Sequence, residues 1–179
     1  MSRPATPDPA KLVVGVFMAD TGLFEPVARR LFERFGPMDL MSPWLSFHHT
    51  SYYEPEMGGP LFRRMMAFGQ LIRAEDLVEI KAFTNALEDD FTQDGRRRVN
   101  VDPGYLVLER FVLATGKNFT HRIYLGQSVF ADLTLIYHKG DFQTLPWTYP
   151  DYAGQEIRSF LHLVRKKYCT VVRPSRAKA

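Results

Sequence analysis

Six side chains of the kind that bind ligands lie in two stretches of the chain, SYYEPEMGGP at 51–60 and KNFTHRIYL at 117–125. They are Tyr53, Glu54, Glu56, Lys117, His121 and Arg122. Carboxylates can hold a divalent cation, while lysine and arginine side chains bind phosphate oxygens. His121 is the candidate catalytic acid or base, because the intrinsic pKa of histidine lies nearest to neutral pH. The residue types predict a binding or enzymatic domain for a small anionic, phosphate-bearing ligand.

A divalent metal is a further candidate at this site. Glu54, Glu56 and Asp20 are the candidate metal ligands, because they follow the ends of predicted strands. Each also has a structural explanation: Asp20 can cap the helix that follows it, and the two glutamates can be solvated in a loop bracketed by prolines. The sequence leaves both interpretations open, and it identifies no cofactor.

A rival interpretation is a protein-interaction module without catalytic activity. In it, the loop with Tyr52 and Tyr53 and the region of Trp147 form a docking surface. A concave pocket that joins Glu54 to His121 would favour ligand binding, and a flat apolar patch around the aromatic residues would favour docking.

The sequence contains no sharper catalytic motif. Gly116-Lys117 superficially suggests a phosphate loop, but the position that needs a glycine is Phe111. There is no GxSxG and no HExxH motif, and the single Cys169 can form neither a thiolate metal cluster nor an internal disulfide. His48 and His49 are adjacent, so in a regular strand they point to opposite faces and cannot share one metal ion.

Composition predicts one domain at 11–171, between an N-terminal tail at 1–10 and a basic C-terminal tail at 172–179. The formal net charge of +3 comes from three basic residues of the C-terminal tail, so the remaining chain is balanced. Nucleic acid is therefore not expected as a partner. The apolar run at 12–19 is too short to span a bilayer, and we expect a cytoplasmic protein without a membrane segment.

The order of the periodic segments predicts an α+β fold. Strand, helix, strand, strand, helix, strand is the order of a ferredoxin-like split βαβ core (βαββαβ). A further helix, a β-hairpin and a C-terminal helix extend this core. The predicted strands cover 11–19, 44–50, 61–69 and 98–101, and the predicted helices between them cover 24–35 and 74–91.

Asp102 followed by Pro103 predicts the start of a helix that continues to about Ala114, because aspartate is a good N-cap and proline suits the first helical position. Asp151 is likewise expected to cap the last helix. The helix after Asp102 would return the chain to the sheet edge where the first two strands end. It would bring the two ligand-binding stretches together there.

The predicted hairpin has one favoured register. A three-residue turn places Arg122 opposite Asp132 and Tyr124 opposite Phe130, with apolar residues together on one face and polar residues on the other. Arg122 and Asp132 are therefore predicted to form a cross-strand ion pair.

Four motifs are spread over nearly the whole chain: SYYEPEMGGP, VNVDPGYL, KNFTHRIYL and LPWTYPDY. Together they resemble the domain of unknown function 4416 family of short prokaryotic proteins. The resemblance implies a cytoplasmic single-domain protein with no established activity, although some members are labelled as binding GTP. The positions that the resemblance carries over are Tyr52, Tyr53, Glu54, Glu56, Gly58, Asp102, Gly104, Tyr105, Lys117, His121, Arg122, Trp147, Tyr149 and Asp151.

Overall fold

A large antiparallel sheet with helices on both faces forms the core of the computed structural model, which describes residues 3–47 and 53–176. The α+β prediction is confirmed. The strands are β1 (Ala10–Met18), β2 (Met38–Met41), β3 (Leu45–Phe47), β4 (Leu61–Ile72), β5 (Thr92–Gln93), β6 (Arg96–Arg97), β7 (Val99–Leu106), β8 (Arg110–Thr115), β9 (Arg122–Gly126), β10 (Val129–His138) and β11 (Asp141–Thr144). The helices are α1 (Phe24–Phe35), α2 (Glu54–Met57), α3 (Leu77–Asp90), α4 (Pro150–Ala153) and α5 (Gln155–Arg176). Within the described ranges, no helix is long and apolar enough to cross a membrane.

The main sheet has the strand order β11-β10-β8-β7-β1-β4-β2, with β3 also paired to β4 and β9 also paired to β10. These pairings are antiparallel. β5 and β6 form a separate two-stranded hairpin. β1 lies inside the sheet and is buried along its whole length, because helices cover both of its faces. This explains why its sequence is a continuous apolar run instead of an alternating one.

The two faces of the sheet pack against different helices. Leu12, Val14 and Val16 of β1 pack with α1 and α3 on one face. Val13 of β1 and Met65 of β4 pack with α5 on the other face.

The predicted helices at 24–35 and 74–91 and the C-terminal helix are confirmed. α1 ends at Gly36, which has a φ of 79° and donates its amide to the Phe32 carbonyl. α5 continues to Arg176, so it extends into the segment expected to be a C-terminal tail. Its Tyr168 hydroxyl donates to the Pro9 carbonyl at 2.8 Å and holds the segment that precedes β1.

The predicted strand at 44–50 includes β3, and its last three residues lie outside the described ranges. β2 was not predicted. Its residues are half-buried or exposed, so the strand has no apolar alternation from which to predict it.

The helix predicted from Asp102 to about Ala114 is wrong. The chain instead forms β7, a short turn and β8. The aspartate and proline supply a local helix-start signal, but β7 pairs with β1 over eight consecutive residues. Burial of Val99 and Val101 in that pairing outweighs the local signal.

β7 and β8 separate after a short ladder. Their pairing ends at Gly104 opposite Leu113, although β7 begins five residues earlier. The Val107 amide donates to the Arg110 carbonyl, and alternate residues of a strand direct their backbone groups to the same side. The backbone of Pro103 therefore faces β8. Proline has no N–H to donate, so the ladder cannot continue past it.

The register of the predicted hairpin is confirmed. Arg122 lies opposite Asp132, and Tyr124 lies opposite Phe130. The turn uses left-handed backbone at Gly126, with φ of 118°, and at the two residues that follow. The apolar side chains of β9, Ile123, Tyr124 and Leu125, are exposed.

We predict that Gly104→Ala lowers the free energy of unfolding by about 1–3 kcal/mol. A Cβ at this position would lie 2.5 Å from the Val112 backbone oxygen, so the two strands would have to move apart. Denaturant unfolding followed by circular dichroism measures the change. Gly116→Ala is the matched control, because its Cβ would meet no atom closer than 4.0 Å. Equal stability of the two variants would contradict the close approach of β7 and β8.

Candidate functional site

The gap between the diverging ends of β7 and β8 opens into a cleft of about 620 Å³. α3 borders one side, and the segment that leads into α4 borders another. The charged residues of its lining are Arg63, Lys81, Arg97 and Lys117, with Glu88, Asp102, Asp132 and Asp151. The aromatic residues are Phe47, Tyr53, Tyr149 and Tyr152. A cleft of this size and polarity suits a small molecule.

Two side chains of α3 take the place of the missing strand partner. Lys81 Nζ donates to the Val101 carbonyl at 3.2 Å, and Glu88 Oε1 accepts from the Val101 amide at 2.8 Å. These backbone groups face the side that β8 has left, and buried backbone groups need partners. Burial raises the pKa of the Glu88 carboxyl, although Lys81 at 4.0 Å opposes that shift. The side of the cleft that α3 borders is therefore polar.

Arg63 of β4 lies in the cleft floor with its side chain buried. Its guanidinium pairs with Asp151 of α4 and lies 3.7 Å from the Asp102 carboxylate. It also stacks at 4.6 Å from the ring centre of Phe47 and at 5.0 Å from that of Tyr152. Burial opposes the charged form, but Tyr152, Asp151 and Asp102 raise the pKa of Arg63 above its ordinary value. The floor therefore carries a permanent positive charge.

Three residues of the cleft lining each carry a buried polar atom that has no hydrogen-bond partner within the part of the chain that the structure describes. These atoms are Arg63 Nε, Asn100 Nδ2 and Tyr152 Oη. The amide orientation of Asn100 follows from Arg97, which donates to its Oδ1 at 3.2 Å. The two nitrogens can only donate, and the hydroxyl can also donate. Leaving buried donors unpaired costs free energy, so a ligand with acceptor atoms gains affinity here.

The tyrosine hydroxyls of the cleft stay protonated at neutral pH. Burial, assisted by the negative charge of Asp102, raises the pKa of Tyr53 to about 12. Burial likewise raises the pKa of Tyr149, and it raises that of Tyr152 well above the ordinary value. All three side chains therefore keep an O–H group at neutral pH.

Asp132 forms the wall on the β10 side, and its predicted ion pair with Arg122 is present. Arg122 Nε donates to Asp132 Oδ2 at 2.9 Å, and His121 Nε2 lies 3.1 Å from the same oxygen. The His121 ring stacks on Trp147 with ring centres 4.8 Å apart, and Arg122 also donates to the Tyr149 hydroxyl. His121 and Arg122 therefore position two lining residues without lining the cleft themselves.

Glu56 reaches the cleft through Arg97. Its carboxylate accepts three hydrogen bonds from Arg97, from Nε at 2.7 Å, from Nη2 at 2.8 Å and from the backbone amide at 3.4 Å. The remaining Arg97 nitrogen donates to Glu88 at 3.1 Å and to Asn100 at 3.2 Å. These hydrogen bonds lower the pKa of Glu56 and raise the pKa of Arg97 from their ordinary values. Arg97 thus connects the short helix α2 to the floor of the cleft.

The structure brings most of the predicted site residues to one place. Tyr53 and Lys117 line the cleft. Glu56, His121 and Arg122 bind lining residues from outside it. The expectation that the two ligand-binding stretches would meet at one edge is correct, although a strand and not a helix returns the chain there.

Glu54 and Asp20 do not join these residues. Glu54 is exposed in the first turn of α2. Asp20 accepts the Gly22 amide at 3.0 Å as a cap before α1, and it pairs with Arg98 at 3.0 Å. Within residues 3–47 and 53–176, no group of three or more His, Cys, Asp or Glu side chains is placed to hold a metal ion. The candidate metal ligands Glu54, Glu56 and Asp20 therefore have no common centre.

The assignment of Asp102 and Asp151 as helix caps is wrong. Asp102 lies inside β7, and α4 begins after Tyr149 with Asp151 already in its first turn. Both carboxylates face Arg63 instead. Tyr52 and the adjacent histidines at 48 and 49 lie outside the described residues, so the structure does not place them.

Arg63 is the main site residue that sequence reasoning missed, and a signal for it exists. It alternates with Leu61 and Met65 on the buried face of β4. Lys81 and Glu88 occupy buried positions of α3 in the same way. A charged residue in phase with apolar residues must have a partner inside the protein, so these three positions could have been singled out.

The chain forms an α+β fold with a large antiparallel sheet and a polar cleft at the divergence of two strands. The chain belongs to the family described as Domain of unknown function (DUF4416), whose model matches residues 8–168. This confirms the resemblance of the four motifs. Comparison with curated proteins and with solved structures found no match.

We predict that Arg63→Met lowers the free energy of unfolding by roughly 3–5 kcal/mol, because it leaves the carboxylate of Asp151 buried without a cation. The neighbouring Arg64 is the matched control. It lies on the opposite face of β4 and stacks on Phe24 and Trp44, so Arg64→Met should cost only about 1 kcal/mol. Urea unfolding of both variants compares the two losses. Similar small losses would show that Arg63 does not anchor α4.

Proposed function

We propose that the cleft binds a small anionic, phosphate-bearing ligand. The observation that carries this proposal is the set of three buried polar atoms without partners, Arg63 Nε, Asn100 Nδ2 and Tyr152 Oη. A ligand that satisfies them must bring acceptor oxygens. The oxygens of a phosphate-bearing molecule, whether in its phosphate or in its hydroxyl groups, are acceptors of this kind.

The carboxylates in the walls support an anionic ligand because most of them are already occupied. Their partners are Arg63 for Asp151, Arg122 for Asp132, and Arg97 for Glu88. These acceptors are therefore not available to attract a cationic ligand. The hydrogen-bonding capacity that remains in these walls is mainly that of donors.

Lys117 supplies the positive charge for the anion. Lys117 is one of the four cationic residues that line the cleft. Lys117 follows Gly116 at the end of β8, and its carbonyl is held by Arg122 Nη1 at 2.9 Å. This hydrogen bond fixes the backbone from which the Lys117 side chain extends.

His121 and the candidate metal ligands have a smaller part in this proposal than the sequence predicted. His121 binds Asp132 and does not line the cleft, so any acid–base role would act through Asp132. Because Glu54, Glu56 and Asp20 do not converge, the proposal assigns them no metal.

A ferredoxin-like split βαβ core is the finer fold assignment that we propose. The part β7-β1-β4-β2 has the order expected for it, with antiparallel neighbours. α1 and α3 connect its strands and pack on the same face. This core supplies the β1-β4-β7 floor of the cleft.

The exposed residues of β9 favour a second function, an interaction module that binds a second copy of this chain. Ile123, Tyr124 and Leu125 are exposed, and β9 pairs with β10 alone among the described strands. An open strand edge with apolar side chains can pair with another strand. Antiparallel pairing of two copies about Tyr124 would place Ile123 opposite Leu125.

This surface differs from the one predicted around Tyr52, Tyr53 and Trp147. Tyr53 lines the cleft, and Tyr52 is outside the described residues. Trp147 is partly exposed, but its Nε1 donates to the Leu133 carbonyl at 2.8 Å and its ring covers His121. The predicted aromatic residues thus do not form one flat patch in the part of the chain that is described.

We predict that Lys117→Ala abolishes binding of phosphate-bearing probes while changing the melting temperature of the free protein by only a few degrees. A ligand at 100 times its Kd stabilises the native state by about 2.7 kcal/mol. This is about 5–10 °C in melting temperature for a chain of this size. A thermal-shift screen with inorganic phosphate, sugar phosphates and nucleotides measures it.

Lys166→Ala is the matched control for this screen, because Lys166 is exposed on α5 away from the cleft. It should keep the ligand-induced shift in full. A large loss of stability in Lys117→Ala with unchanged probe binding would reject the proposed role of Lys117. A screen in which no phosphate-bearing probe stabilises the wild type would reject the proposed function.

For the second function, we predict that the wild type dimerises as its concentration rises and that Tyr124→Lys keeps it monomeric. A lysine on an edge strand opposes pairing with another strand. Sedimentation velocity over a range of concentrations measures the oligomeric state. Leu163→Lys replaces an equally exposed apolar residue on α5 and should dimerise like the wild type. A wild type that is monomeric at every concentration would remove the β9 interface.

A further inference from the structure

We propose that the ligand is a phosphorylated sugar or polyol, whose hydroxyl groups bind Arg63, Asn100, Asp102 and Tyr152 on the floor of the cleft and whose phosphate lies toward Lys117. This inference rests on the proposed function and specifies the substrate class of the same site. The basis for this inference is the Asp102 carboxylate on the floor. It accepts hydrogen bonds, and a simple anion has no donor to offer it.

Three of the four floor residues lie in two adjacent rows of the sheet, and the fourth, Tyr152, belongs to α4. Arg63 and Asn100 flank Phe17 of β1 from either side, because both are paired with it. Asp102 is paired with Gly15 in the next row on the same face. A Cβ on Gly15 would lie 3.2 Å from the Tyr152 hydroxyl, so that hydroxyl stands over the same row.

Asp102 differs from the other carboxylates of the cleft. Its closest cation, Arg63, is 3.7 Å away, which is beyond hydrogen-bond distance, and its side chain is 28 % exposed. No donor within residues 3–47 and 53–176 forms a hydrogen bond with this carboxylate. Asp102 therefore offers an acceptor to whatever enters the cleft.

The floor thus combines one charged acceptor with three donors, Arg63 Nε, Asn100 Nδ2 and Tyr152 Oη. A phosphate group has only acceptors at its oxygens once ionised, and Asp102 would repel it. A hydroxyl group both donates and accepts, so neighbouring hydroxyls can satisfy Asp102 and the donors together. The phosphate of the same molecule must then lie away from Asp102, and Lys117 provides the cation for it.

The remaining walls suit the carbon skeleton of such a ligand. Phe47 and Tyr53 line the cleft with aromatic surface, and Phe17 contacts both rings, with centres at 4.6 Å and 4.8 Å. Aromatic surface can contact the C–H groups of a sugar while the hydroxyls face the polar floor. A cleft of about 620 Å³ is large enough for a pentose or hexose phosphate.

The test compares matched pairs of probes by titration calorimetry on the full chain. The pairs are ribose 5-phosphate with pentyl phosphate, glucose 6-phosphate with hexyl phosphate, and glycerol 3-phosphate with propyl phosphate. At least one hydroxylated member should bind ten-fold or more tightly than its alkyl partner. Equal affinity within each pair would overturn the substrate class and leave the proposed anion site standing. Binding by none of the six probes would overturn the proposed function itself.

Asp102→Asn tests the residue that distinguishes the two kinds of probe. This variant should bind the hydroxylated probe less than three-fold more tightly than its alkyl partner. The affinity for the hydroxylated probe should fall, while the affinity for the alkyl phosphate should stay unchanged or rise. A purely structural role of Asp102 would instead weaken both probes equally, and that result would overturn the proposal. Asp89→Asn removes the same charge from an exposed position of α3 and should keep the full preference.

Tyr152→Phe provides a second variant that changes no charge and keeps the shape of the buried ring. It should also weaken the hydroxylated probe selectively, because it removes one floor donor. Far-ultraviolet circular dichroism verifies the fold of each variant. If both Tyr152→Phe and Asp102→Asn kept the full preference for the hydroxylated probe over its alkyl partner, the floor would not be the binding site of the hydroxyl groups.

Discussion

The buried charge of Arg63 sets the most demanding constraint on this fold. A guanidinium beneath a sheet face is tolerated only with carboxylates and aromatic rings around it, because desolvating an unpaired charge is very costly. Asp151, Asp102, Phe47 and Tyr152 provide these surroundings. They come from three separate segments of the chain, so a single cation determines how α4, β3 and β7 meet over β4. The packing of the cleft floor follows from the requirements of this one side chain.

The cleft itself results from a second requirement, that of an interrupted ladder. Pro103 ends the pairing of β7 with β8, and the free backbone groups of Val101 then need other partners. Lys81 and Glu88 supply them across the gap. The opening is therefore bordered by charged side chains. The polarity of the cleft thus follows from the need to provide hydrogen-bond partners for the backbone of β7 where β8 no longer pairs with it.

Local patterns predicted those parts of the chain whose structure is decided locally. The helical stripe of α1, the apolar positions of α5 and the Arg122–Asp132 register follow from periodicity and turn length, and they are correct. The helix after Asp102 failed because an Asp-Pro pair is a local signal, whereas the strand forms through pairing with β1. The edge that carries the site was predicted. The identity of its central cation was not. The alternation of Arg63 with Leu61 and Met65 indicates a buried charge, but the two carboxylates that face it come from distant segments.

The position of β1 inside the sheet has a consequence for how the chain folds. Its two neighbours are β4 and β7, which lie far downstream at 61–72 and 99–106. This buried, apolar strand therefore cannot complete its ladders until more than half of the chain is available. Folding dominated by such distant pairings has a high contact order and is slow compared with the folding of helical bundles. During synthesis, β1 has no complete set of neighbours until β7 has been made, and an apolar strand with an unpaired edge is prone to aggregation.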